Sequence, residues 1–349
     1  MTQRWTAFAI AAPLTFLLLV AVLLVPLPYA VYSPGPTFNV LGKDVNDSEV
    51  IQVVGHKTYR DDGEIRFTTV SVSPRGEKER LFEAMSAWFD PHRAVVPYDS
   101  AHPDDQSAQD EERQGQVSMI NSQGTAVAVA MRELGYKVPT GIQVAFVEKD
   151  SPSYGKLRVL DKILKVDGKP LKDGQQLVDA IQRHGQGDPV TLLIERHHKR
   201  LTVEIEPVET VVQGDRAMRI GVTPGLGYYF PFDVTIQVDP TIGGPSAGLM
   251  FSLSVYDTLT PGSLTDGETV AGTGELFDDG TVGPIGGIAQ KIAAAQDAGA
   301  QLFFVPKDNC NDVEDVDTDM ELVKATTMHG AVESLKAWDA DRDAELPRC

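Results

Sequence analysis

The sequence predicts an α+β fold behind an N-terminal transmembrane helix, and three observations predict it. Residues 6–25 carry no charge. Beyond them, short β-branched runs alternate with segments whose apolar residues recur at helical spacing. The composition, 42% hydrophobic and 23% charged, is that of a globular chain rather than a disordered one. At 349 residues there is room for about two folded domains. Thirty-one Lys and Arg against 50 Asp and Glu leave a net charge of −19, the wrong sign for a phosphate-binding surface, so nucleic acid is excluded as a partner. Cys310 and Cys349 are too few for a disulfide framework or a zinc cluster, and no metal or cofactor site is expected.

The uncharged run comes first. Twenty residues rise about 30 Å as a helix, enough to cross a bilayer core, and the run exceeds the about 7–15 apolar residues of a cleaved signal. Arg4 and the amino terminus flank its short side, which places the N-terminus in the cytoplasm. The expectation is a cell-membrane protein with a single span, a cytoplasmic stub and anchor over 1–31, lipid as a partner of that helix, and the functional part extracytoplasmic.

Residues 63–72 alternate and are rich in β-branched side chains, which reads as a strand; 77–89 places Leu81, Phe82, Met85, Trp88 and Phe89 at helical spacing. Residues 99–116 hold Asp104, Asp105, Asp110, Glu111 and Glu112 with almost nothing apolar, so 99–122 is expected to be a flexible acidic loop. A compact α+β unit follows over 123–208. It has a helix over 126–134, strands over 141–147 and 162–166, a turn at Asp167-Gly168, a helix over 174–184, and strands over 190–195 and 200–205. Its run Gly141 to Val147, Ser151-Pro152, Gly155-Lys156-Leu157 and Asp161 through Val166-Asp167-Gly168-Lys169-Pro170 resembles a bacterial PDZ domain. The resemblance implies a groove that adds a peptide as an extra strand. It also implies a carboxylate-binding loop with a Leu-Gly-aromatic run, for which Leu134-Gly135-Tyr136 is the candidate; Gly135 also reads as the residue that ends the preceding helix.

Chemistry concentrates near the C-terminal end. In Gly243-Gly244-Pro245-Ser246-Ala247-Gly248, a strand over 233–238 leads through small residues to an apolar helix running to about Leu259. A serine framed in this way meets the needs of a nucleophile with backbone N–H groups for an oxyanion, with Gly244, Pro245 and Ser246 as the candidate segment and the amides of Gly244 and Ser246 as the donors. The segment also reads as a Gly-Pro turn with Ser246 capping a core helix. Further on, Ile288, Ile292, Ala295 and Gly299 line one helix face, and Lys291 points to the same side. Among Ile and Ala an ammonium is costly, so its pKa falls and a neutral amine becomes available as a base. A lone lysine there also reads as one that snorkels to water; its pairing with the serine segment favours the base.

These segments, with Thr273-Gly274-Glu275 between them and Val282 to Gly287 before the lysine, resemble the proteolytic domain of the Lon proteases. The resemblance implies Ser246 as nucleophile, Lys291 as base and Thr273 as a hydroxyl that helps hold the lysine. It also implies one discontinuous protease domain, built from 32–98 and 209–345, with the acidic loop and PDZ unit inserted. With the anchor, the chain resembles the membrane-anchored PDZ-Lon serine proteases of Gram-positive bacteria, which act on proteins or peptides; a homo-oligomeric ring is a further implication. No Gly-x-x-x-x-Gly-Lys-Ser/Thr run occurs, so ATP-independent cleavage of unfolded chains is expected. Two rival readings are an esterase using Ser246, Asp312 and His329, against which Pro240 and Gly243-Gly244 separate the serine from its strand, and a non-catalytic membrane-tethered PDZ scaffold.

Overall fold

The computed structural model describes residues 2–44, 46–103, 107–196, 198–212 and 215–349. One sheet has six strands in the order Glu321–Ala325, Leu302–Pro306, Thr269–Gly272, Glu64–Val72, Tyr29–Asn39 and Ala94–Pro97. The first four run parallel, and Tyr29–Asn39 pairs antiparallel to both of its neighbours. Strands from before and after the α+β unit thus share one sheet, with Val270 opposite Ile65. The helix Gly248–Leu259 is buried along nearly its whole length against this sheet. The helix Ile288–Asp297 packs on the strand Tyr29–Asn39, where Ile288, Ile292 and Ala295 join Phe303 and Val305 in a second apolar cluster.

The second six-stranded sheet runs Val222–Tyr228, Thr140–Val147, Lys162–Val166, Val190–Arg196 and Lys199–Ile205, with the short strand Lys169–Pro170 paired to Lys162–Val166, and the helix Gly174–Gln182 covers one face. Leu177 and Ile181 of that helix pack on Ile142, Val144, Leu192 and Ile194 to form a core of its own. The strands expected over 141–147, 162–166, 190–195 and 200–205 are therefore present within a residue or two. The edge strand Val222–Tyr228, contributed from beyond the unit, was not expected there.

Two expectations are corrected. Among the described residues no helix is long and apolar enough to cross a membrane. A helix forms over Thr2–Leu24, with Pro13 inside it removing one backbone donor from its ladder. The single span and the membrane localisation that rested on it are therefore not supported. Second, much of the acidic segment is helical: Tyr98–Ala101 forms one turn and Ala108–Glu133 a long helix. Its acidic start suits a helix N-terminus, where Ser107 caps by accepting the Asp110 amide at 3.1 Å and Asp110 and Glu111 face the positive end of the dipole. Burial of Met119 and of everything from Thr125 to Met131 supplies the apolar contact that the first turns lack. The expectation for Asp104 and Asp105 lies outside the described residues. The two cysteines, 39 residues apart, form one disulfide, Cys310–Cys349, a pairing the sequence left open.

Candidate active site

Ser246 follows the strand Asp233–Ile236 and stands one residue before Ala247, which caps the nucleophile helix Gly248–Leu259. The N-cap is Ala247 and makes no side-chain cap bond, so the Ser246 hydroxyl is not spent on capping. It is spent on Lys291, whose Nζ lies 2.9 Å from Ser246 Oγ. The same Nζ donates to Thr273 Oγ1 at 3.0 Å, and that hydroxyl in turn donates to the carbonyl oxygen of Ser246 at 3.0 Å. The Gly274 amide donates to this carbonyl as well, at 2.7 Å. The Thr273-Gly274 segment therefore fixes both the lysine and the backbone of the serine.

Lys291 is 3% exposed and Thr273 0%. Burial pushes the Lys291 ammonium down to about 8, because desolvation penalises the charged form. Near neutrality such an amine is partly unprotonated, as a general base requires. A cavity of about 520 Å³ opens onto the pair. Its walls come from three parts of the chain: Pro36, Phe38 and Thr68–Val70 from early strands, Met119 from the long helix, and Thr241–Gly243 with Pro284–Gly286 around the serine and lysine.

The oxyanion candidates divide. Gly244, at φ +94°, donates its amide to the Gly115 carbonyl at 2.9 Å and is not free to receive an anion. Pro245 has no N–H. Among the described residues the amides of Ser246 and Ala247 donate to no protein acceptor, so the unspent N–H pair stands one step nearer the helix than the expected Gly244 and Ser246. Two supports were missed. Ser122 Oγ donates to the Pro245 carbonyl at 3.0 Å, and Asn309 clamps Ile285, accepting its N–H at 2.9 Å and donating to its C=O at 3.0 Å. No local spacing signals Ser122, which reaches the loop across 123 positions of sequence. Of the rival triad, His329 is exposed and pairs with Glu133 at 2.7 Å, while Asp312 bonds Asn309 at 2.9 Å; neither touches Ser246.

Against this geometry, residues 237–335 match the Lon protease (S16) C-terminal proteolytic domain. Residues 116–206 match a PDZ domain. The chain is 36% identical over 104 residues to Lon protease 1 of Syntrophobacter fumaroxidans, covering 29% of this chain and 12% of that protein. It is 40% identical over 73 residues to Lon protease of Desulforamulus reducens, covering 21% of this chain and 9% of that one. The chain thus spans only a small part of the length of these relatives. The PDZ domain of an SdrC-like protein from Listeria innocua is 27% identical with a TM-score of 0.22, over 24% of this chain and 92% of that one. Together the family matches and relatives support a serine-type peptidase with a PDZ domain.

The PDZ unit has a groove of about 370 Å³ between the helix Gly174–Gln182 and the edge strand Val222–Tyr228. Val178, Ile181 and Gln182 form one wall and Met218–Pro224 the other. Gln182 closes one end by donating to the Met218 carbonyl at 3.1 Å and accepting its N–H at 3.2 Å. Leu134-Gly135-Tyr136 is not part of these walls. Gly135, at φ +84°, ends the long helix, with its N–H on the Arg132 carbonyl and that of Tyr136 on the Met131 carbonyl, each at 2.9 Å. Leu134 and Tyr136 pack on the protease core, so the run is a helix stop and not a binding loop.

Proposed function

We propose that the chain is an ATP-independent serine endopeptidase in which Ser246 and Lys291 form a catalytic dyad and the PDZ groove receives an extended segment of the substrate. The observation that carries it is the 2.9 Å contact between a buried lysine amine and the Ser246 hydroxyl. Neutral Lys291 takes the Ser246 proton as Oγ attacks a peptide carbonyl, and Thr273 keeps the amine aimed at Oγ. The tetrahedral oxyanion receives the amides of Ser246 and Ala247. The lysinium then gives its proton to the leaving amine as the C–N bond breaks. Water, deprotonated by the same lysine, attacks the acyl-enzyme, and the proton returns to Ser246 Oγ as the acid product leaves. The cavity admits an extended chain and the PDZ groove adds an exposed strand edge, which supports unfolded proteins or peptides as substrates.

The protease domain is proposed to be discontinuous, with 32–98 and 209–345 on either side of the PDZ unit; the pairing of Glu64–Val72 with Thr269–Gly272 supports this division. A stable proteolytic core lacking the first part would contradict it. The activity is tested by offering unfolded casein to wild type, Ser246→Ala and Lys291→Ala. Cleavage by wild type alone is the expected result, and equal cleavage by all three rejects the peptidase reading.

A further inference from the structure

One helix, Ala108–Glu133, touches both candidate sites. Near its start Arg113 lines the PDZ groove. Two residues later the Gly115 carbonyl accepts the Gly244 N–H at 2.9 Å, and Met119 lines the cavity above Ser246. The approach is backbone to backbone: a Cβ on Gly243 would meet Gly115 Cα at 3.0 Å. Further along, Ser122 holds the Pro245 carbonyl, while Thr125 bonds the hydroxyl of Tyr228 in the groove strand at 3.0 Å. The groove strand and the nucleophile loop are therefore fastened to the same rod.

We propose that this helix couples the groove to the nucleophile loop, so that an extended, carboxylate-bearing chain in the groove engages Arg113 and shifts the Gly115 carbonyl that holds Gly244. Substrate capture then sets the rate at Ser246 as well as the affinity. The inference rests on the peptidase reading above. Arg113 now pairs with Asp110 at 2.5 Å, both side chains more than 40% exposed. Such a surface pair is weak, and a guanidinium exchanges it readily for a carboxylate that it can meet with two hydrogen bonds. Arg219 lines the same groove as a second cation, against Glu148 as its acidic side chain. Packed helices shift by about 1–2 Å as units, which is enough to take a 2.9 Å contact out of hydrogen-bond range.

The test measures kcat and KM of the full chain on casein, an unfolded acidic protein. Arg113→Ala is expected to raise KM and lower kcat, each by about threefold or more, with Arg113→Lys between it and wild type. Gly243→Ala, which wedges the loop from the helix, is expected to lower kcat, and the double variant to lose no more kcat than the worse single one. Where Gly243→Ala does not melt cooperatively, Gly115→Leu replaces it. A change in KM alone, no change at all, or losses in kcat that multiply would overturn the coupling while leaving the peptidase reading intact. A wild type that leaves casein whole defeats the peptidase reading instead.

Discussion

The two sites of this chain are built in opposite ways. The Ser246–Lys291 pocket gathers side chains that are buried and hydrogen-bonded to one another, and two short segments supply its reacting groups. The PDZ groove is an open slot between a helix and a strand that arrive from opposite ends of the unit. Burial of a polar group demands particular residues at fixed spacing, because an unpaired amine or hydroxyl in a dry site is costly. A groove that works through a strand edge places little demand on residue type.

The largest expected effect tests the dry pocket. Ser246→Ala and Lys291→Ala should each lower kcat on casein by at least about 10⁴-fold, and the double variant should be no worse than either single one, as for groups that act as a unit. Full additivity would mean that the two side chains do not share a step.

Next comes a stability effect of opposite sign. The folded-state pKa of Lys291, about 8, lies below the ordinary 10.5, so the unfolded chain holds this proton more tightly. Stability contributed by this residue should therefore rise with pH between about 8 and 10.5, and below about 8 the full cost of burying the charge applies. Lys291→Met should abolish turnover yet raise stability at neutral pH by up to about 3 kcal/mol. Thermal melts at pH 7 and pH 10 check both parts, and a destabilised Lys291→Met at pH 7 breaks the account of the pocket as an electrostatically strained site.

Smaller still is the Thr273 hydroxyl. Thr273→Val keeps shape and removes one acceptor of the lysine and one donor to Ser246, so kcat should fall by about 10- to 100-fold with KM nearly unchanged. The smallest effects sharpen the comparison with the groove. Val178→Asp, on an exposed wall, should raise KM for casein a few-fold at constant kcat. Gly135→Ala, which forces a side chain into left-handed backbone, should cost about 1–2 kcal/mol of stability without altering KM. A KM effect from Gly135→Ala with none from Val178→Asp would return the peptide loop to Leu134-Gly135-Tyr136.

What was legible in the sequence follows the same division. Ser246 and Lys291 were readable because the lysine's helix face and the Gly-rich approach to the serine are local patterns, whereas Thr273 came only from the resemblance to the Lon proteases. The strands and helix of the PDZ unit were readable from their periodicity. The long helix was not: its first turns are nearly all polar, and the contacts that hold it, Ser122 on Pro245 and Thr125 on Tyr228, join residues more than a hundred positions apart. The groove strand Val222–Tyr228 was hidden for the same reason, since its partner Thr140–Val147 lies far upstream. Gly244 misled because its backbone suits an oxyanion hole, while a distant carbonyl takes its amide. The apolar run at the start misled because composition registers only the potential for a span, and among the described residues no helix is long and apolar enough to cross a membrane.

The central claim is that a buried amine is held partly neutral against the serine hydroxyl. Its most direct test is an NMR titration of the Lys291 side chain, with Ser246→Ala as the assignment control. The account predicts a midpoint near 8, matched by a casein kcat that rises through the same pH. A midpoint at the ordinary lysine value, near 10.5, would contradict it.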